Sequence, residues 1–322
     1  MRAVFLDKQT FSASIVLDGI AQQVNELTCY DNTSPEDITS RSLDAEIIIT
    51  NKVVLNAEIL AKLPNLKLIC ISATGFNNVD IEAAQRLNIA VTNVSGYAGQ
   101  SVAQYVFAQL LNYFQHTTHH NNNTKQGLWA SSSSFCYHGD GFSELAGKTL
   151  GIIGYGNLGK AVANIAQAFN MKVFISERPN SKEIRPGRLA FSDVIEQADI
   201  ISLHCPQTVD TEQLINEDVL SRMKSSAVLV NTARGALVDE SALLSALQNK
   251  EIAFAILDVL TTEPPSCDHP LINSDLDNLN ITAHIAWAST EAQQRLINLL
   301  CDNIIAFNND KILNRLDCNT AI

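Results

Sequence analysis

Apolar residues in positions 2–95 gather into short runs near Arg2–Asp7, Leu27–Asp31, Glu46–Asn51, Leu66–Ser72 and Ile89–Val94. Between them, Asn56–Leu63 and Asp80–Leu87 carry the three-to-four-residue spacing of helices with one buried face. Strand and helix alternating in this way predict a parallel α/β unit. The apolar stretch Ser101–Phe114 reads as a helix leading out of it, and from His116 to Gly141 the period gives way to Asn, Ser and His, a polar excursion. The pattern resumes at Leu150–Ile153, Met171–Ser176, Asp199–Cys205, Ala227–Thr232, Ile252–Val259 and Leu279–Thr282, with helical segments between. These strands predict a second doubly wound sheet. The last helix, about Thr290–Asn308, follows the final strand and is expected to pack on the first unit. The chain therefore reads as two α/β domains, 1–100 with 290–322, and 101–289.

The second sheet opens on Thr149-Leu150-Gly151-Ile152-Ile153-Gly154-Tyr155-Gly156-Asn157-Leu158-Gly159-Lys160. Here an apolar strand meets a glycine-rich turn, and Leu158, Val162, Ile165, Ala166 and Phe169 recur behind the glycines at helical spacing. A helix N-terminus offers unpaired N–H groups and the positive end of the macrodipole, which together hold a pyrophosphate where glycines let the backbone approach. The next strand ends at Glu177, eighteen residues after Gly159, where an acid accepts hydrogen bonds from the adenosine ribose. Strand, turn, helix and acid in register predict a dinucleotide site. A carboxylate there should repel the 2′-phosphate of NADP and favour NAD, a preference tempered by the adjacent Arg178.

At 322 residues two domains are the natural reading, and 46% hydrophobic content predicts ordered cores. A formal charge of −12 argues against a nucleic-acid partner and requires any anionic substrate to be held by a few local cations. Cys29, Cys70, Cys136, Cys205, Cys267, Cys301 and Cys318 form no C-x-x-C pair, and their odd number suits reduced thiols. The N-terminal apolar run is too brief for a signal peptide and no run approaches a membrane span, so a soluble, cytoplasmic chain is expected. His116, His119 and His120 lack a nearby carboxylate or cysteine at ligand spacing, so a solvated loop rather than a metal site is expected. Trp129, Phe135 and Tyr137 in the same excursion point to a subunit contact, with Ser101–Phe114 beside it.

Ligands of open α/β sheets bind beyond the carboxyl ends of the strands. Arg234 follows Ala227–Thr232, Asp258 and Glu263 follow the run from Ile252, and His284 follows Leu279–Thr282. Those residue types suit hydride transfer at a 2-oxo acid. His284 is the candidate proton donor to the developing alkoxide, and Glu263 beside it would fix its tautomer and favour the protonated ring. Arg234 presents a planar fork to carboxylate and carbonyl oxygens. Asp258 would accept a hydrogen bond from the nicotinamide carboxamide.

Over essentially its whole length the chain resembles the D-isomer-specific 2-hydroxyacid dehydrogenase family. The likeness rests on Ala73–Asp80, Asn93–Tyr97 with Ser101–Gln104, Gly151–Gly159, His204–Pro206, Asn231–Asp239, Leu257–Val259 with Glu263 and Pro264, and Thr282–Ala286. It implies a Rossmann dinucleotide-binding domain, a smaller flavodoxin-like substrate domain and a two-fold homodimer. It also implies that Arg234, Glu263 and His284 are catalytic. Cofactor contacts would come from Gly154, Tyr155, Gly156, Asn157, Leu158, Gly159, Glu177, Cys205, Pro206, Thr232, Ala233 and Asp258, and the backbone around Ala73, Thr74 and Gly75 would receive the substrate carboxylate. The family's usual proline before the histidine is Ala283 here.

Within the family, Gly127–Trp129, Phe135–Cys136, Glu144–Thr149 and His284–Ser289 resemble bacterial glycerate dehydrogenases, which act as hydroxypyruvate reductases. The expected reaction is hydroxypyruvate or glyoxylate to D-glycerate or glycolate with NAD(H). D-lactate, phosphoglycerate or phosphite as substrate, or a non-enzymatic NAD-sensing binding protein, are the alternatives within the same fold.

Overall fold

The computed structural model describes residues 1–317; Cys318 and the end of the 290–322 segment lie outside them. The chain divides into two compact units, Met1–Ala98 with the segment from Trp287 onward, and Gly99–Ala286.

In the first unit β1 (Arg2–Phe5), β2 (Glu26–Cys29), β3 (Ile47–Thr50), β4 (Leu68–Ile71) and β5 (Ala90–Thr92) form a parallel sheet in the order β2-β1-β3-β4-β5. This is the flavodoxin-like order. The inner strands β3 and β4 are buried at every position, so they read as unbroken apolar runs rather than alternating ones. The expected helices are shorter than the periodicity implied, Ala57–Leu60 and Ile81–Arg86, and each starts at a side-chain cap. Asn56 and Asp80 accept the N–H groups of Ile59 and Ala83 at 3.0 and 2.8 Å. The helix Thr290–Asn308 packs on β4. Just before it, the Trp287 ring lies edge-on to Phe11 and Tyr97, with centroids 5.8 and 6.1 Å away. Asp7, 4% exposed at the end of β1, accepts the N–H groups of Asn51, Lys52 and Val53 and so ties down the turn after β3.

In the second unit β6 (Thr149–Ile153), β7 (Lys172–Ile175), β8 (Ile200–Leu203), β9 (Val228–Asn231), β10 (Phe254–Leu257) and β11 (Leu279–Ile281) form a parallel sheet in the order β7-β6-β8-β9-β10-β11. β6 pairs with β7 on one side and β8 on the other, so the connection from β6 to β7 and the crossover from β7 to β8 run in opposite directions, and this switch point opens the crevice in which such sheets bind ligands. A single parallel bridge, Ser176 to Leu189, stands at the outer edge of β7 where a further Rossmann strand would pair.

The helix Gly99–Gln115 packs on the helix Asn157–Ala168, with Phe107 stacked on Phe169 at 5.3 Å. Its apolar stripe is thus covered within its own unit. The excursion is also not all loop. His116 turns the backbone left-handed (φ 48°) and a second helix follows, Thr117–Lys125, until Gly127 at φ 85° ends it. A run of Thr, His and Asn has weak helix propensity; here the buried Asn123, bonded to His119 one turn earlier at 2.9 Å, anchors it. Beyond it Trp129, Phe135, Tyr137 and Phe142 are exposed, Phe135 at 89%. Among the described residues no helix is long and apolar enough to cross a membrane.

Candidate active site

The glycine loop joins β6 to the helix Asn157–Ala168. Gly154 has φ 97°, and a Cβ there would lie 2.4 Å from the backbone nitrogen of Cys205, so only glycine lets the loop rest on the end of β8. Gly156, the residue capping the helix, faces open space: a Cβ would meet nothing within 4 Å. The protein's own packing does not require glycine at this position, but close approach of a pyrophosphate to the helix N-terminus does.

The ends of β8 and β9 carry two buried polar atoms without a partner among the described residues, His204 Nδ1 and Thr232 Oγ1. Such orphans are costly unless a ligand or water satisfies them. His204 bonds Ser202 Oγ through Nε2 at 2.9 Å, and burial pushes its imidazole down to about 4. Burial likewise pushes the Cys205 thiol up to about 11, so this thiol stays protonated at neutral pH. An open glycine cradle at a helix N-terminus with orphaned polar groups at neighbouring strand ends fits a dinucleotide.

Next along the same edge, Asn231 shapes the turn after β9: its side chain accepts from Ala233 N at 3.0 Å and donates to Arg234 O at 2.8 Å. Arg234, half-buried, follows in extended conformation. The next residue, Gly235, sits so close to the β10 loop that a Cβ would fall 1.9 Å from the Leu260 carbonyl carbon. This contact seats the arginine turn against the segment leading to Glu263, whose Oε1 accepts from Leu260 N at 3.1 Å.

Glu263 Oε2 is 2.6 Å from His284 Nδ1. A carboxylate only accepts, so Nδ1 carries hydrogen and Nε2 is the nitrogen left for chemistry. His284 is itself held in the left-handed region at φ 56°, its N–H donating to Asp258 O at 2.8 Å. Asp258, 1% exposed, takes three donors from the same loop: Thr282 Oγ1 at 2.7 Å, Ile285 N at 2.9 Å and Ala286 N at 2.7 Å. A carboxylate has about four acceptor positions, so a carboxamide can claim little more than one. The main work of Asp258 is to fold the histidine loop. Behind it Tyr105 bonds Thr282 Oγ1 and accepts from Gln109 Nε2 at 3.0 Å, a chain the sequence did not disclose because Tyr105 sits in a helix that reads as core. Asp258, Glu263 and His284 border a cavity of about 620 Å³ that also reaches Leu260, Leu271 and Ile281.

Ala73–Gly75 belong to the first unit, where they follow β4. The turn is pinned to the end of β5 by Thr74 Oγ1 on Val94 O at 2.9 Å, Asn93 Nδ2 on Thr74 O at 2.8 Å and Val94 N on Ala73 O at 3.1 Å.

Glu177, 4% exposed at the end of β7, is fully engaged. The Arg185 guanidinium grips both oxygens, Nε on Oε2 at 2.7 Å and Nη2 on Oε1, while the backbone N–H groups of Arg178 and Arg185 donate at 2.9 and 3.2 Å. The Arg185 fork, aided by these N–H groups, holds the carboxyl well below the usual carboxylate range. Both oxygens are thus engaged, and a ribose hydroxyl would take the place of one of these donors.

Comparison with known proteins adds an independent line. The profile of the D-isomer specific 2-hydroxyacid dehydrogenase NAD binding domain matches residues 107–286. The chain is 40% identical over 309 residues to a glycerate dehydrogenase of Methylorubrum extorquens, covering 95% of this chain and 96% of that one. It is 36% identical over 292 residues to a hydroxypyruvate reductase of Blautia hydrogenotrophica, covering 89% and 90%. Among solved structures, an acyclic imino acid reductase in complex with NADPH and D-Arg superposes with a TM-score of 0.84 at 32% identity, covering 98% of this chain and all of the other.

Proposed function

The chain belongs to the D-isomer specific 2-hydroxyacid dehydrogenase family, and from that premise we propose that it reduces hydroxypyruvate, and glyoxylate beside it, to D-glycerate and glycolate. The family membership makes it an NAD-dependent oxidoreductase that interconverts a 2-oxo acid and a 2-hydroxy acid. The observation that carries the assignment of roles is the Glu263–His284 pair at 2.6 Å on the ligand edge of the dinucleotide sheet.

NADH, when bound by the Gly154–Gly159 loop with Tyr155, Asn157, Leu158, Cys205, Pro206, Thr232 and Ala233 around it, supplies the hydride and its electron pair. Everything else falls to the chain's own side chains. Arg234 presents its fork to the carbonyl and carboxylate oxygens, polarising the carbon that is reduced. His284 gives the proton on Nε2 to the oxygen as negative charge develops there, and Glu263 holds the ring in that orientation and balances its positive charge. The 73–75 turn of the first unit is assigned the substrate carboxylate through its backbone N–H groups. The exposed aromatics of the excursion support a homodimer, and six unpaired cysteines among the described residues support a reducing, cytoplasmic setting.

The test is steady-state NADH oxidation with hydroxypyruvate, glyoxylate, pyruvate and 3-phosphohydroxypyruvate in parallel. Hydroxypyruvate should give the highest kcat/KM. Dinucleotide binding without turnover of any of the four would instead indicate a binding protein.

A further inference from the structure

Glu263 stands on an irregular segment, residues 258–278, that joins β10 to β11. A segment of that length without helix or strand holds a side chain in place only where other parts of the fold fasten it. The 2.6 Å contact between Glu263 and His284 therefore needs anchors on both sides of the glutamate. One is the packing of Gly235 on Leu260. Another is a second carboxylate–imidazole pair, one of two among the described residues, which lies outside the reacting groups: Glu240 Oε2 and His269 Nε2 are 3.1 Å apart.

Glu240 holds the segment at two points. Its Oε1 accepts from Thr261 N at 2.7 Å, just before Glu263, and its Oε2 takes His269 beyond it. A carboxylate only accepts, so His269 Nε2 carries hydrogen; Nδ1 is buried without a partner among the described residues, and the ring bonds Glu240 alone there. Both side chains are largely withdrawn from water, Glu240 at 20% and His269 at 11% exposure, which strengthens the contact. The base of this clamp is rigid. Glu240 opens the helix Glu240–Gln248, which Asp239 caps by accepting from Ser241 N and Ala242 N at 3.0 Å each, and which buries Leu243, Ala246 and Leu247. Leu271, 2% exposed just past His269, joins the same apolar core. The helix continues the connection from β9 that carries Arg234, so one short stretch of chain seats the arginine and grips the segment of the glutamate.

We propose that Glu240 is a positioning residue for the reduction: with His269 it clamps the 261–269 segment so that Glu263 stays on His284 and in register with Arg234. Glu240 touches none of the reacting groups in this role. The role rests on the dehydrogenase reading for the work of Glu263 and His284, and adds to it what keeps them paired.

The test is a kinetic double-mutant cycle with hydroxypyruvate and NADH, with melting temperature and NADH affinity measured on every variant. Glu240→Ala should lower kcat by about tenfold or more, the effect of a displacement of about 1 Å at a reacting group, while KM for hydroxypyruvate, set by Arg234, stays within about threefold. Glu240→Gln keeps an oxygen for Thr261 N and should restore kcat to within about threefold of the wild type. His269→Phe keeps the bulk of the ring and removes one arm of the clamp; its kcat should fall between the two, and it carries the test where Glu240→Ala does not fold. Because Glu240 acts through Glu263, adding Glu240→Ala to Glu263→Gln should lower kcat by less than about threefold further. A Glu240→Ala effect of equal size in both backgrounds, or a folded Glu240→Ala or His269→Phe protein with wild-type kcat, overturns the clamp and leaves the dehydrogenase reading standing. Wild-type kcat in Glu263→Gln overturns both.

Discussion

At the scale of single residues the site divides into groups that touch the reaction and groups that hold them. In the proposed role Arg234 would act through two parallel N–H donors, so Arg234→Lys should raise KM for hydroxypyruvate by about tenfold or more and lower kcat less, because a point charge attracts the anion without orienting it. A drop in kcat alone, with KM unmoved, would count against a substrate-binding role. His204 makes a separate prediction about stability. Its imidazole sits at about 4 in the folded chain against an ordinary value of 6.5, so in that interval the unfolded chain binds the proton and the folded one does not. Its contribution is complete above about pH 6.5 and is lost as pH falls toward 4. The melting temperature should therefore fall less between pH 7 and pH 4.5 in His204→Gln than in the wild type; an equal fall would show that the buried ring is not responsible. Arg234, Glu263 and His284 were legible because each stands just past an apolar run. Arg185 was not, since seven residues of aperiodic loop separate it from the acid it grips.

At the scale of elements, what counts is how loops at strand ends are locked together. Gly235 is the tightest case: any side chain there would enter the Leu260 backbone and push the arginine turn away from the Glu263 segment. Gly235→Ala should cost about 1–3 kcal/mol in unfolding free energy and lower kcat/KM by about 10²-fold or more while the protein still folds, checked by chemical denaturation alongside steady-state kinetics. Wild-type kinetics in a normally stable Gly235→Ala protein would contradict this account of the turn. The strands and the glycine loop could be read from the chain because apolar runs, period and glycines are local signals. The Thr117–Lys125 helix could not, because its residues favour solvent and turns and one buried asparagine decides the matter. The loop-folding role of Asp258 was equally hidden, for its donors lie between 282 and 286, far along the chain.

At the scale of the whole molecule, an acidic chain carries a local basic loop and an exposed aromatic excursion. Phe135 at 89% exposure beside Trp129 at 50% leaves an apolar patch that a second copy would cover, so light scattering at micromolar concentration should give twice the chain mass, and Phe135→Ser with Trp129→Ser should shift it toward the single chain. A wild type that runs as a monomer would contradict the dimer. The reduction itself is tested most directly by single-turnover loss of NADH absorbance on mixing with hydroxypyruvate, wild type against His284→Gln. The account predicts a rapid single exponential for the wild type and one slower by about 10²–10⁴-fold for the variant, with NADH affinity nearly unchanged, because the lost proton donation belongs to the transition state. A His284→Gln protein that turns over at the wild-type rate would contradict it.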